Sequence, residues 1–159
     1  MRICIAGSGG AFGAKHLDAL GAIEGVSVTS VVGREAHGIT EFAAKCGIAH
    51  ATTDLAESLA RDDVDAVILA TPTQVHAEQA IQCMRAGKHV LVEKPIASSV
   101  EEGNEIVTAA REAGVTLMVG HVERFNPAVA AIKQAIKDEE ILSIAITRVG
   151  PFPPRMSNV

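Results

Sequence analysis

Short apolar runs alternate with amphipathic stretches along the chain, and the two patterns predict different elements. Runs rich in Val, Ile, Leu and Ala predict buried strands, at 2–6, 26–32, 65–70, 89–92 and 115–119. Apolar residues that recur every three or four positions predict helices, at 11–23, 35–46, 55–60, 73–86, 98–114 and 127–137. Because helices separate the strands, we expect an α/β fold: a doubly wound, mostly parallel sheet with a ligand crevice at the carboxyl ends of its strands.

The carboxyl-terminal tail has a different pattern. After Ile141, apolar and polar residues alternate through ILSIAITRV, which predicts a half-buried antiparallel strand over 141–149. The next segment, GPFPPR, is rich in Gly and Pro, so regular structure is expected to end there.

Composition and charge exclude several classes of partner. Aromatic residues make up 3% of the chain, with no Trp and no Tyr, so no stacking platform for single-stranded nucleic acid is expected. A formal net charge of -5 with scattered basic residues argues against binding to duplex nucleic acid or to an anionic membrane. No apolar stretch approaches the ~20 residues of a membrane span, and the first residues enter a strand rather than a signal peptide.

The cysteines indicate a reducing compartment. Cys4, Cys46 and Cys83 are far apart and lack the CxxC spacing of a zinc site. Their odd number argues against a disulfide framework, so no metal is expected and the cytoplasm is the predicted location.

The loop GSGGAFG, residues 7–13, lies between the first predicted strand and the first predicted helix. Glycines here allow a tight turn and let the backbone approach a pyrophosphate at the helix N-terminus; a plain turn is the alternative. The spacing departs from GxGxxG, and two registers fit. Either Gly7, Gly9 and Gly13 act in a loop with one extra residue, or Ser8 replaces the first glycine of a set with Gly10 and Gly13. The expected cofactor contacts are Gly7, Ser8, Gly9, Gly10, Ala11 and Phe12.

The end of the second predicted strand indicates which dinucleotide binds. An NAD site usually has Asp or Glu there, about 20 residues beyond the loop, bonded to the ribose 2′-hydroxyl. In VVGRE, Gly33 occupies that position and Arg34 follows it. Since a guanidinium grips a 2′-phosphate that a carboxylate would repel, the sequence favours NADP over NAD. His37 could add a contact to the cofactor. The alternative is that Glu35 accepts a hydrogen bond from a ribose hydroxyl.

Three further loops follow predicted strands: ATPTQVH at 70–76, VEKPIA at 92–97 and GHVERFNP at 120–127. With GKHVLVEKP at 87–95, they resemble the Gfo/Idh/MocA family of oxidoreductases. The resemblance covers the whole chain and corresponds to the family's N-terminal half, a Rossmann domain that binds NAD or NADP. The extra residue in GSGGAFG departs from the family's loop, which bears on the phosphate contacts rather than on the fold.

The resemblance implies roles for residues of these loops. Glu93 would face the nicotinamide ribose, and Lys94, in a cis bond to Pro95, would hold and polarise the substrate oxygen. His121 would lie at the nicotinamide end and take part in catalysis with Lys94. The implied cofactor-lining residues are Thr71, Pro72, Thr73, His76, Glu93, Lys94, His121 and Arg124. His16 and His50 are expected to be structural or solvated.

The resemblance also implies a second, α+β domain that closes over the nicotinamide and carries substrate contacts, usually with an Asp-x-x-x-His pair. No histidine follows His121, so we expect this domain to be absent. The expected organisation is a Rossmann domain at 1–122, a linking helix at 123–140 and the first strand of the missing domain at 141–159. An unpaired strand predicts homo-oligomers through the tail, and an incomplete site predicts little turnover by the chain alone.

The implied reaction is hydride transfer between a nicotinamide cofactor and a sugar-like or cyclic alcohol or hemiacetal. The segment through AEQAIQCMRAGKHV resembles 4-carboxy-2-hydroxymuconate semialdehyde dehydrogenases, which use NADP. The later stretches GHVERFNPAV and RVGPFPPR resemble UDP-N-acetylglucosamine 3-dehydrogenases, which use NAD. The alternative is a non-enzymatic nucleotide-binding or redox-sensing Rossmann module, which would have no use for a lysine at the hydride site.

Overall fold

The computed structural model describes residues 1–147 and 149, apart from the side chains of Ala11 and Phe12. The chain divides into two compact units, Met1–His121 and Val122–Val159. No helix in the described part of the chain is long and apolar enough to cross a lipid bilayer.

The first unit contains six strands and five α-helices in alternation. The strands are β1 Arg2–Ala6, β2 Ser27–Val32, β3 His50–Thr52, β4 Ala66–Leu69, β5 His89–Val92 and β6 Leu117–Val119. The helices are α1 Ala11–Leu20, α2 Ala36–Cys46, α3 Leu55–Leu59, α4 His76–Arg85 and α5 Val100–Ala113. All neighbouring strands pair in parallel, in the order β3-β2-β1-β4-β5-β6. The predicted doubly wound parallel α/β fold is therefore confirmed.

The strand order fixes where a ligand can bind. The chain winds outward from β1 to β3, then returns to place β4 beside β1 and continues to β6. Sheets with this order bind dinucleotides across the crevice between β1 and β4, at the carboxyl ends of the strands.

Helices cover both faces of the sheet, and for that reason the central strand β4, AVIL, is apolar along its whole length. Leu69 of β4 is fully buried in a cluster with Ile106 of α5. On the opposite face, Ile5 of β1 is fully buried in a second cluster with Ile39 of α2. Full burial of such a side chain contributes about 1.5–3 kcal/mol, so this core holds the strand ends in fixed positions.

The structure differs from the sequence-based expectation at two places in this unit. β3 was not predicted, because a strand of three residues is too short to show an apolar pattern. The helix expected over 73–86 begins instead with a separate 3-10 turn, Thr73–Val75, ahead of α4. This turn carries Thr73 and is flanked by Pro72 and His76, all three of them predicted cofactor-lining residues.

The second unit contains a 3-10 turn, Val122–Phe125, and one helix, α6, Pro127–Ala135. Asn126 caps α6, since its Oδ1 accepts a hydrogen bond of 3.0 Å from the N–H of Ala128. Residues 141–147 form neither helix nor strand. The strand expected over 141–149 is not formed within them, because a strand needs a neighbour for its N–H and C=O groups and no described segment pairs with it. The assignment of 141–159 to a further domain stays a prediction, and most of 148–159 lies outside the described residues.

Candidate cofactor and active site

Five loops meet at the carboxyl edge of the sheet. They follow β1, β2, β4, β5 and β6, and they carry the glycine loop, Gly33, Thr71, Glu93 and His121 in that order. With the exception of Arg124, every predicted site residue of the chain lies in the first unit at this edge.

Gly7 makes the turn out of β1. Its φ is +82°, and a Cβ built there would lie 2.4 Å from the backbone oxygen of Ala70, beyond the end of β4. Both features require glycine, because L side chains rarely adopt this φ and a backbone oxygen cannot move aside. Gly7 is therefore the first glycine of the loop.

The surroundings of Gly13 and Gly9 show which of the two glycine registers the loop adopts. A Cβ on Gly13 would meet the Cα of Ser8 at 2.4 Å, so a glycine is needed where α1 packs against the loop. A Cβ on Gly9 would meet no atom within 4 Å, which leaves that backbone open to a ligand. The geometry favours the register Gly7, Gly9 and Gly13 in a loop with one extra residue. The alternative that begins at Ser8 is disfavoured, since Ser8 is buried and its Oγ donates to the Val32 oxygen at 3.4 Å.

The amide groups of the loop divide into occupied and available donors. The N–H of Gly7 donates to Val32 O at 2.9 Å, and that of Gly10 donates to Gly7 O at 3.0 Å. The N–H groups of Ser8 and Gly9 donate to no atom of the described residues. No side chain caps the first turn of α1, which begins at Ala11, whereas Asp54 and Ser99 cap α3 and α5. Unused amides beside an uncapped helix N-terminus are suited to a pyrophosphate.

The end of β2 has no room for a side chain at residue 33. A Cβ on Gly33 would lie 2.8 Å from Cβ of Ile39, which is buried in the core. Arg34 is exposed and makes no hydrogen bond or ion pair with the described residues. His37, also exposed, lies 3.9 Å from Glu41. The guanidinium of Arg34 is therefore available at the position where a ribose phosphate would lie.

His76 joins the loops that follow β4 and β5. It is the first residue of α4 and only 1% exposed. Its Nε2 lies 2.9 Å from the Thr71 oxygen and its Nδ1 lies 2.9 Å from the Pro95 oxygen. Thr71 in turn donates from Oγ1 to Gln79 at 2.7 Å, while Pro72 precedes the 3-10 turn that begins at Thr73. The ring of His76 thus lies between the two loops and contacts both, and its predicted contact with a cofactor stays a prediction.

Glu93 follows β5, and its carboxylate lies beside His16, Lys94 and Gly120. Its Oε1 lies 2.9 Å from Nε2 of His16, on α1. Its Oε2 accepts a hydrogen bond of 3.2 Å from the N–H of Lys94. A Cβ on Gly120, after β6, would lie 3.2 Å from the carboxylate, so the absence of a side chain there makes room for it. The side chain of Glu93 is 12% exposed.

Lys94 and His121 are exposed at the same edge. The Lys94–Pro95 bond is cis, as the family resemblance implied. The N–H of His121 donates to Val119 O at 2.7 Å, which fixes its backbone at the end of β6. Arg124 lies in the second unit, on the turn Val122–Phe125, and its place at the nicotinamide end stays a prediction.

Two residues at this edge were not predicted to have a role. His16 was expected to be structural or solvated, but it contacts a predicted site carboxylate 77 residues away along the chain. The available signal was its position three residues after Gly13, which places both on one face of α1. Gly120 offered no signal beyond its place after a strand.

Comparison with known proteins agrees with this geometry. The sequence model of an oxidoreductase family with an NAD-binding Rossmann fold, GFO_IDH_MocA, matches residues 1–121. The 4-carboxy-2-hydroxymuconate-6-semialdehyde dehydrogenase of Sphingobium sp. (strain NBRC 103272 / SYK-6) is 58% identical over 80% of this chain and 40% of its own length. The scyllo-inositol 2-dehydrogenase (NADP(+)) of Bacillus subtilis is 42% identical over 76% of this chain and 37% of its own length.

Solved structures give the same result. The WlbA dehydrogenase of Bordetella pertussis, in complex with NADH and UDP-GlcNAcA, superposes with a TM-score of 0.81 at 31% identity, over 86% of this chain and 39% of that chain. The chain thus spans about two-fifths of the length of the relatives it matches. It belongs to the Gfo/Idh/MocA oxidoreductase family, and its first 121 residues form that family's nicotinamide-dinucleotide-binding Rossmann domain.

Proposed function

We propose that the chain is the cofactor domain of a dehydrogenase that prefers NADP(H) and acts on a sugar-like or cyclic alcohol or hemiacetal. The observation that carries the cofactor preference is the pairing of Gly33 with Arg34. Ile39 lies so close to Gly33 that no carboxylate fits there, and Arg34 is exposed without a partner among the residues that the structure describes. A bidentate guanidinium–phosphate contact contributes about 1.5–3 kcal/mol. The relatives include both kinds of cofactor, since the scyllo-inositol 2-dehydrogenase is named for NADP(+) and the WlbA structure holds NADH, so the proposed preference rests on the residues of this chain.

The proposed substrate class rests on the relatives. Their names specify a muconate semialdehyde and scyllo-inositol, and the WlbA structure holds a UDP-sugar acid. These compounds share an oxygen on the carbon that gains or loses a hydride. The reaction is accordingly an oxidation of an alcohol or hemiacetal, or its reverse.

Lys94 and His121 are the proposed catalytic residues. A bound nicotinamide would supply the hydride acceptor for oxidation of the substrate carbon. As the C–H bond breaks, negative charge develops on the substrate oxygen and its proton must leave. The ammonium group of Lys94, exposed after β5, would stabilise that oxygen and relay the proton toward solvent. His121, exposed after β6, would lie beside it.

The chain alone is proposed to bind cofactor with little turnover, because it spans about two-fifths of the length of its relatives and hydride transfer requires a substrate held over the nicotinamide. We also propose that it forms homo-oligomers through its tail and α6, where the apolar side chains of Val129 and Ile132 are exposed. Light scattering that gave a monomeric mass at micromolar concentration would exclude this assembly.

The free cysteines support a reducing, cytoplasmic location.

The cofactor preference is tested by calorimetric titration with NADPH and with NADH. Wild-type chain should bind NADPH more tightly, and Arg34→Ala should weaken NADPH binding by about 10- to 100-fold while changing NADH binding less than about threefold. Arg111→Ala is the matched control, because Arg111 is exposed in the last turn of α5 and should change neither. Equal loss of both cofactors in Arg34→Ala would contradict the proposed phosphate contact. Binding of neither cofactor by the wild type would contradict the proposed function.

A further inference from the structure

One side-chain contact joins the phosphate-binding end of the crevice to its opposite half. His16 lies on α1, three residues after Gly13, and Glu93 follows β5. Their Nε2 and Oε1 atoms are 2.9 Å apart, and the two side chains are 21% and 12% exposed. Since a carboxylate only accepts hydrogen bonds, the contact requires a proton on Nε2 of His16.

The surroundings of Glu93 allow one orientation of its carboxylate. One oxygen is held by His16 and the other by the N–H of Lys94 at 3.2 Å. Gly120 lies 3.2 Å from the carboxylate, measured from its would-be Cβ. A carboxylate accepts about four hydrogen bonds, so each oxygen of Glu93 keeps a lone pair for a ligand. Without His16, one oxygen of a largely buried carboxylate would lose its partner, and the side chain would turn toward water.

The position of Glu93 in the sheet determines which part of a dinucleotide it can reach. Dinucleotides lie across the crevice with one mononucleotide on each half of the sheet. The glycine loop and Arg34 belong to the β1–β3 half, which leaves the β4–β6 half, with Glu93, for the nicotinamide nucleotide. The hydroxyls of its ribose are the donors that a carboxylate recognises there.

We propose that His16 is a positioning residue: it holds the Glu93 carboxylate in the orientation that accepts the hydroxyls of the nicotinamide-side ribose. This rests on the proposed cofactor function. It assigns α1 two tasks, since its first turn faces the pyrophosphate and its second turn orients the group that binds the reactive half of the cofactor.

The test compares NADPH with 2′-phospho-ADP, which has the same 2′-phosphorylated adenosine and a diphosphate but neither the nicotinamide nor its ribose. His16→Ala should weaken binding of NADPH by about tenfold and leave binding of 2′-phospho-ADP within about twofold. His16→Gln should restore most of the NADPH affinity, because its amide can donate in place of Nε2. In a Glu93→Gln background, His16→Ala should add little, since the two changes remove the same interaction.

His89→Ala is the matched control, because His89 is an exposed histidine with one hydrogen bond, from Thr116 N, at the opposite edge of the sheet. Thermal melts by circular dichroism show whether each variant folds. Equal loss of both ligands in His16→Ala and His16→Gln, or loss of neither, would overturn the inference and leave the proposed function standing. Equal affinity of the wild type for the two ligands would also overturn the inference and leave the proposed function standing. A wild-type chain that binds neither ligand would overturn both.

Discussion

Alanine substitutions at two glycines of the loop should separate stability from cofactor binding. Gly7→Ala places a methyl group 2.4 Å from a backbone oxygen at a φ of +82°. The left-handed conformation costs about 1–2 kcal/mol and the overpacking about 1–3 kcal/mol, which gives a loss of about 2–5 kcal/mol in the free energy of unfolding. At roughly 4 °C per kcal/mol for a domain of this size, the melting temperature should fall by about 8–20 °C.

Gly9→Ala should have the opposite effect. Its Cβ would meet no atom within 4 Å and its φ is not positive, so the free energy of unfolding should be unchanged or raised by up to about 1 kcal/mol. The methyl group would instead occupy the space into which a pyrophosphate must come. Loss of one charge-assisted hydrogen bond from a loop amide weakens binding by about 1.5–3 kcal/mol, or roughly 10- to 150-fold.

Circular dichroism measures the melts, and titration of NADPH fluorescence measures binding; with no Trp and no Tyr in the chain, the cofactor signal has little protein background. If Gly9→Ala bound NADPH as tightly as the wild type, the open backbone would not be the pyrophosphate site. If Gly7→Ala melted like the wild type, the register that begins at Gly7 would be wrong and the one that begins at Ser8 would return.

Two further predictions concern buried groups. His76→Phe keeps a ring of similar size but removes the ring N–H that donates to either the Thr71 or the Pro95 oxygen, so urea unfolding should show a loss of about 1–3 kcal/mol. A loss no larger than that of exposed His89→Phe would contradict the role of this hydrogen bond. Burial raises the pKa of the Cys83 thiol to about 12, so iodoacetamide at pH 8 should label exposed Cys46 and spare Cys83 until the chain unfolds. The Cys83 thiol of the unfolded chain ionises near pH ~8.5, so the free energy of unfolding should be unaffected by this group below that pH and should decline as the pH rises toward about 12. Equal labelling of Cys46 and Cys83 in the native chain, mapped by mass spectrometry, would refute the burial argument.

The fold could be predicted because its signals are local. The run AVIL in β4 is apolar at every position, as a strand buried on both faces must be, and glycines mark the ends of several helices. The doubly wound, parallel arrangement followed from the alternation of strands and helices together with the handedness of crossovers. β3 escaped prediction, since its three residues gain their conformation from pairing with β2 rather than from their own pattern.

The candidate site could be predicted only where its residues follow strands. The contact of His16 with Glu93 depends on how α1 lies over the sheet edge, and no short-range pattern encodes a pair 77 residues apart. The register of the glycine loop depended equally on a distant atom, the oxygen of Ala70 beyond β4. The tail shows the converse: alternation over 141–147 favours a strand, but a strand forms only beside a partner, and the described residues supply none.

The close packing of Ile39 against Gly33 limits which substitutions could change the cofactor preference during evolution. An acidic residue at position 33 is the change that would favour NAD, yet it requires space that the side chain of Ile39 fills, with Cβ atoms that would be 2.8 Å apart. A smaller residue at position 39 alone would open a cavity in the core and cost about 0.5–5 kcal/mol, depending on its size. Either substitution made alone would lower the free energy of unfolding. The proposed preference for NADP would therefore persist in proteins with this packing until positions 33 and 39 change together.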